Sequence, residues 1–400
     1  MGAPASINRR EFSWNLYVLA QLIFLLGLTT KSKRFRTSYF FVLAGIACYL
    51  TWFTTTGNAV HDYGIGTHLF TFLFSAFDLL ILTDAHCELR ITEGSSRGKN
   101  IDEEPFWIRV RWALKLQGSP RGLGWSFAAK EPYIAPAPQQ ETSRCIFIMA
   151  KLREIALNIV LYDLAGFINR ANPCFSQHGC RLSQMSMGEG RLPVLAWRYA
   201  FLGYGVASYL TVSTLHYIYA VLSFGLGLSD PWQWPPLFGS FWDAFTVRRF
   251  WGRVWHQMMR RFLFSITTKA AWKLGLPRGR RLTEVFQLFL AFFISAMIHY
   301  AGGDYMIFGR WHGGSLIFFS LQPLAIVVEG ALIWLAHRVG ISQYIPSTLR
   351  RLVGLLWVAT WFAYTIPMMA EPQLDVGFFE CGLSFSLILG IWKGEWSPKV

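Results

Sequence analysis

A chain of 400 residues that is 53% hydrophobic and 17% aromatic but only 15% charged lacks the polar surface of a soluble globule, in which about a quarter of the residues carry charge. The net charge of +14 would admit a nucleic-acid partner, but Lys and Arg lie between apolar runs and not along one face, which argues for a lipid bilayer and against nucleic acid. The expected fold is therefore all-α, a multi-pass transmembrane helical bundle of about 8–9 spans.

A crossing takes about 20 mostly apolar residues. The first candidate, Trp14–Thr29, starts after Arg9-Arg10-Glu11 and has no small-residue cleavage site, so it reads as a span and not as a removable leader. Lys31-Ser32-Lys33-Arg34-Phe35-Arg36 ends it. Spans are expected next at 39–55 and 65–83, the second holding Asp78. Residues 84–144 mix charges with Gly and Pro, are too long and polar for a turn, and read as a cytosolic loop with an amphipathic helix at 106–116. The run 145–167 carries Lys151, Arg153, Glu154 and Asp163, so it must face other helices or lie partly in the interface. A polar loop, 169–191, precedes 195–228, which is long enough to span with tilt. Residues 230–281 are basic and rich in Trp. Spans are expected at 282–303, 315–336 and 352–370, with a short final one at 376–392. Three domains follow: N-terminal spans 1–83, a cytosolic loop 84–145, and a membrane domain 146–400.

Placing Lys31–Arg36 in the cytosol and alternating puts 28 of the 37 Lys and Arg residues in cytosolic loops, as the positive-inside bias requires. Of the six cysteines, Cys174 and Cys180 then fall on the oxidising side, which is compatible with a disulfide closing a short loop but leaves open whether the two pair. No CxxC pair and no Cys/His cluster with zinc spacing exists, so no metal site is expected. The chain has no repeat of 20–50 residues and no inverted two-halves pattern, which argues against a transporter.

Two stretches carry chemistry. The helix candidate 282–303 ends in Ser295-Ala296-Met297-Ile298-His299-Tyr300-Ala301-Gly302-Gly303. An ionisable ring among apolar neighbours is costly unless paired or used, and burial favours its neutral, proton-accepting form. A histidine bonded to a neighbouring helix and a catalytic base both fit. Some forty residues earlier, Arg248, Arg249, Arg253, Arg260 and Arg261 surround Trp242, Trp251 and Trp255. Arg matches phosphate oxygens in a forked geometry and Trp offers a flat surface, but an interfacial helix held by lipid headgroups has the same pattern. His256 and Gln257, hydrogen-bonding side chains among Trp and Met, point to a site lining. Asp78, Glu154, Asp163, Arg198, His216 and Glu329 read as interhelical partners or cavity linings, and Trp311-His312-Gly313-Gly314 reads as a turn.

The string Phe250-Trp251-Gly252-Arg253-x-Trp255-His256-Gln257, followed by an apolar helix with Ser295-x-x-x-His299, resembles the membrane-bound O-acyltransferase family, and most closely its wax-synthase-like branch. Arg121-Gly122-Leu123-Gly124-Trp125 is similar to a stretch upstream of that domain in fungal members, several of which acetylate terpenoids. The sequence departs from the pattern at Ala296, where related enzymes often have Gly. The resemblance makes 146–400 a wax-synthase-like acyltransferase domain. It implies transfer of an acyl group, here acetyl, from acyl-CoA to an alcohol within the bilayer of the endoplasmic reticulum. No cofactor is permanently bound; acyl-CoA (acetyl-CoA) is a co-substrate and a lipophilic alcohol such as a terpenoid the acceptor. His299 becomes the general base, with His256 beside the reacting thioester. Trp251, Arg253, Trp255, Gln257, Arg248 and Arg249 become acyl-CoA contacts. A long-chain wax synthase is the alternative within the family; an anion transporter and a non-catalytic scaffold are alternatives outside it.

Overall fold

The computed structural model describes residues 9–92, 100–119, 121–127, 143–170, 202–378 and 386–396. They are predominantly helical, as the composition predicts, and five helices are long and apolar enough to cross a bilayer: Ala59–Leu82, Leu202–Gly225, Arg281–Phe308, Ser315–Arg338 and Ser347–Leu374. Arg198, Cys174 and Cys180 lie outside the described residues. The chain forms two compact units. Unit 1 comprises Met1–Pro136, Leu226–Gln233 and Gln257–His312; unit 2 comprises Ala137–Gly225, Trp234–His256 and Gly313–Val400.

Unit 1 begins with helices α1 (Trp14–Thr29), α2 (Lys33–Phe53) and α3 (Ala59–Ala76). The Ser13 hydroxyl accepts from the Leu16 N–H and starts α1; Asn58 caps α3 through the N–H groups of Val60 and His61. Helix α2 starts six residues before the expected span, because no Pro or Gly follows Ser32 and Arg36 turns inward onto Asp84 at 2.9 Å. The amphipathic helix expected at 106–116 is α4 (Phe106–Gln117). It buries Trp112, Ala113 and Leu116 and leaves Phe106, Trp107 and Ile108 exposed. Helices α7 (Arg260–Lys273) and α8 (Arg281–Met297) complete the unit, in which α3 packs on the end of α8; α5 and α6 belong to unit 2. A short parallel pair, Arg10–Glu11 with Thr54–Thr55, joins the N-terminal segment to the α2–α3 turn.

The contacts of unit 1 sort by the charge alternation. Arg9 donates to the Met306 and Ile307 carbonyls, and Thr56 donates to Asp62; all these ends were assigned to the non-cytosolic side. Arg109 donates to the Thr29 carbonyl, Arg111 to the Gly227 carbonyl, Lys269 to the Leu82 carbonyl and Gln233 to the Leu123 carbonyl; all these were assigned to the cytosol. The Arg121-to-Trp125 stretch forms a corner on this second side. Gly122 and Gly124 take φ of +70° and +79°, and Trp125 packs edge-on against Trp112 at 5.7 Å.

Unit 2 contains α5 (Arg144–Arg170), α6 (Leu202–Gly225), α9 (Ser315–Arg338), α10 (Ser347–Leu374) and α11 (Leu387–Lys393). Helix α9 buries Gln322 and Glu329 while Ile317, Leu324, Val328 and Leu332 face outward. Polar groups inside and aliphatic groups outside are the arrangement that suits a lipid solvent. The charges of α5 are used within the unit: Lys151 donates to the Trp234 carbonyl at 3.4 Å and lies over the Tyr217 ring at 4.7 Å, and Asp163 accepts from the Ile388 N–H at 2.9 Å. The expected final span, 376–392, is helical only over the seven residues of α11 among those described. At 1.5 Å per residue that is about a third of a hydrocarbon core.

Candidate active site

His299 lies where α8 changes its winding. Residues Ile298–Asp304 form a π-helical turn continuing into Tyr305–Phe308. Among the described residues there are two other π-helical segments: Phe77–Leu82, which holds Asp78, and Phe250–Val254, the Phe-Trp-Gly-Arg-Val of the first stretch. A π turn costs backbone energy and persists where packing holds it. At His299 the packing is explicit. Gly302 faces Gly66 of α3 so closely that a Cβ on either would overlap the other's carbonyl, and a Cβ on Gly303 would strike the Tyr63 ring and Thr67. Trp52 donates its indole N–H to the Ala301 carbonyl at 3.3 Å, and Phe70, Phe262, Ile294 and Ile298 close the core around the turn.

This crossing brings Tyr63 onto His299. The phenol oxygen is 2.8 Å from Nδ1, with the rings 5.9 Å apart and inclined at 34°. Both rings are half-buried. Ser295, on the same face, spends its hydroxyl on the Ala291 carbonyl at 3.1 Å.

The first stretch is built differently. Thr246 caps a helical turn by accepting from the Arg249 N–H at 3.0 Å, and Glu329 accepts from the N–H groups of Val247 and Arg248 at 3.1 and 3.4 Å. A buried carboxylate at exposed amide dipoles is a favourable N-terminal partner, so Glu329 is an interhelical partner as expected. The Trp255 N–H closes the π turn on the Phe250 carbonyl at 2.8 Å, and the two rings stack at 5.5 Å. Trp251 packs against Phe318, Phe319 and Phe362 and donates its indole N–H to Gln322 Oε1 at 3.2 Å; Trp361 donates to the same oxygen at 3.0 Å.

The charged residues of this stretch divide. Arg249 is engaged by Asp243 at 2.6 Å and lies over the Phe245 ring at 4.2 Å. Arg248 is exposed and Arg253 half-buried. His256 packs edge-on to Phe238. Its Nδ1 is sealed from solvent without a hydrogen-bond partner, although the residue as a whole is half-buried. Burial pushes its pKa down to about 4, so the imidazole is neutral near pH 7. Between His256 and Gln257 the chain passes from unit 2 to unit 1, where Gln257 accepts from Arg260 at 3.3 Å. Arg248, Arg249, Trp251, Arg253, Trp255 and His256 are thus gathered in unit 2, and His299 and Gln257 belong to unit 1. Among the described residues no group of three or more His, Cys, Asp or Glu side chains has the geometry to hold a metal ion.

Residues 234–321 match the model of the family described as "Membrane bound O-acyl transferase family". Over nearly its full length the chain is similar to acetyltransferase ple2 of Rhodocybe pseudopiperita, with 32% identity covering 97% of this chain and 98% of that one. It is 31% identical to acetyltransferase eriL of Hericium erinaceus, covering 95% and 96%. It is 29% identical to O-Mevalon transferase yanI of Aspergillus niger, covering 86% and 82%. The chain belongs to the membrane-bound O-acyltransferase family. It is therefore a membrane enzyme that transfers acyl groups to oxygen, and the transporter and scaffold readings fall. The matched residues contain both stretches, the Phe-Trp-Gly-Arg-Val-Trp-His-Gln string and the helix with His299. In this O-acyltransferase the contacts that the sequence does not announce are those of Tyr63 with His299 and of Gln322 with Trp251 and Trp361. Gly66 and Gly302-Gly303 are the small-residue pattern of a close helix crossing, but nothing in the sequence pairs them. Gln322 is an uncharged amide in an apolar run and carries no ionisable signal.

Proposed function

We propose that the enzyme transfers an acetyl group from acetyl-CoA to a hydroxyl of a lipophilic secondary metabolite of the terpenoid class, in the endoplasmic reticulum, with about 8–9 membrane crossings in all. The observation that carries the reading is the placement of His299 on a packed π turn at the end of an apolar helix, inside the family-matched residues. A ring fixed there needs no reorganisation to meet a substrate. The names of the relatives, two acetyltransferases and an O-mevalon transferase, favour a short acyl donor over a long-chain wax synthase.

The acceptor oxygen attacks the thioester carbonyl as its proton passes to the neutral His299 imidazole. The tetrahedral intermediate collapses, the C–S bond breaks, and the imidazolium returns the proton to the CoA thiolate, leaving ester and free thiol. His256, neutral near pH 7, donates one ring N–H to the developing oxyanion or positions the thioester. Arg248 and Arg253 contact CoA phosphates, Trp251, Trp255 and Gln257 bound its path, and Arg249, tied to Asp243, contacts CoA while holding the turn that presents its neighbours.

Microsomes containing the enzyme are incubated with acetyl-labelled acetyl-CoA and a panel of hydroxylated terpenoids and long-chain alcohols. Labelled terpenoid ester is expected, lost in His299→Ala and reduced in His256→Ala. Ester formed only with long-chain alcohols, or only in a parallel incubation in which labelled long-chain acyl-CoA replaces acetyl-CoA, overturns the acetyl–terpenoid assignment, and undiminished ester in His299→Ala overturns the base.

A further inference from the structure

The N-terminal spans lie outside the family-matched residues, yet one of their side chains reaches His299. Tyr63 stands in the second turn of α3, its phenol oxygen 2.8 Å from His299 Nδ1. Its position is fixed on both sides. Before it, Asp62 is buried and accepts from the Thr56 N–H and hydroxyl, both at 2.7 Å, and from the Thr55 hydroxyl. After it, the Thr67 hydroxyl donates to the Tyr63 carbonyl at 2.9 Å, and the Gly66–Gly302 approach sets the separation of the two helices. The buried Asp62 network holds the start of α3, and the Gly66–Gly302 approach leaves no room for a side chain on either helix.

We propose that Tyr63 is a positioning residue for the acyl transfer. This rests on His299 being the base. For Nε2 to take the acceptor's proton, the neutral ring must carry its own proton on Nδ1. Nδ1–H then donates to the Tyr63 oxygen, which selects that tautomer and aims Nε2. As the ring becomes imidazolium the same hydrogen bond is charge-assisted and strengthens, so Tyr63 stabilises the transition state more than the ground state. The N-terminal spans thereby contribute to the reaction itself and do not merely anchor the family-matched region.

The test uses the purified full-length enzyme with acetyl-CoA and the acceptor found active in the panel assay. Tyr63→Phe keeps the ring between the helices and removes only the oxygen. Rates are counted per folded molecule in the gel-filtration peak. The expected result is a loss of kcat of roughly ten- to hundredfold, an unchanged KM for acetyl-CoA, and a displaced acid limb of the pH–rate profile. Full kcat in Tyr63→Phe while His299→Ala is inactive overturns the role of Tyr63 and leaves the base intact. A loss carried by KM alone, with the acid limb unmoved, assigns Tyr63 to packing and likewise overturns it. Activity retained in His299→Ala removes the base and with it this inference.

Discussion

The His256 Nδ1 atom faces protein without a partner, and burial holds the ring near a pKa of about 4, against about 6.5 for an exposed histidine. The unfolded chain therefore gains a proton between pH 6.5 and about 4 that the folded chain refuses. Stability is full above the unfolded value and falls as the medium is acidified through this window, by up to about 1.4 kcal/mol per pH unit from this group. His256→Asn removes that component, so the difference between the two proteins' melting temperatures should narrow from pH 7 to pH 5; a constant difference contradicts it. Gln322 makes a second residue-scale prediction. Its carbonyl oxygen accepts from Trp251 and Trp361, so Gln322→Leu leaves two indole N–H groups without their acceptor and should cost about 1–3 kcal/mol, read as a lower melting temperature. The two histidines were legible in the sequence because each is an ionisable group in an apolar setting. Tyr63 and Gln322 were not, because a phenol and an amide are ordinary in such runs until a partner is known.

At the scale of elements, hydropathy found most helices and placed their apolar stretches well. Helix α1 has the expected bounds, and α5, α9 and α10 extend the expected runs by a few residues at their ends. The change of winding was not legible. The segment expected as one apolar helix to Gly303 passes into a π turn at Ile298, a shift that depends on α3 pressing against Gly302 and Gly303. In the last expected run the described helix is α11, which Ser386 caps by accepting from the Leu389 N–H at 3.2 Å, a start that composition alone does not mark. Because Gly302 meets backbone and not a flexible side chain, Gly302→Ala must force the helices apart. The expected cost is about 1–3 kcal/mol, with acyl transfer falling further than stability because His299 turns with the helix. Wild-type activity in Gly302→Ala would show that the close approach is dispensable.

Over the whole molecule, the charge alternation and the within-unit contacts of unit 1 agree. Helix ends assigned to one side of the membrane bond to one another through Arg9 and Thr56, and those assigned to the other through Arg109, Arg111 and Lys269. This agreement predicts that an acceptor site for N-glycosylation inserted between Trp311 and Gly313 is modified in microsomes, and that one inserted after Gly118 is not. The reverse pattern inverts the topology. Family membership and broad chemistry were legible because they reside in a short string and one helix; the role of the first eighty residues was not, because it arises only when the chain folds back on itself. If His299 takes the proton from the acceptor, single-turnover acetyl transfer by purified His299→Ala should fall roughly 10²–10⁴-fold, while its affinity for acetyl-CoA stays at the wild-type value. Transfer at the wild-type rate, or a loss explained by failure to bind acetyl-CoA, would contradict that role.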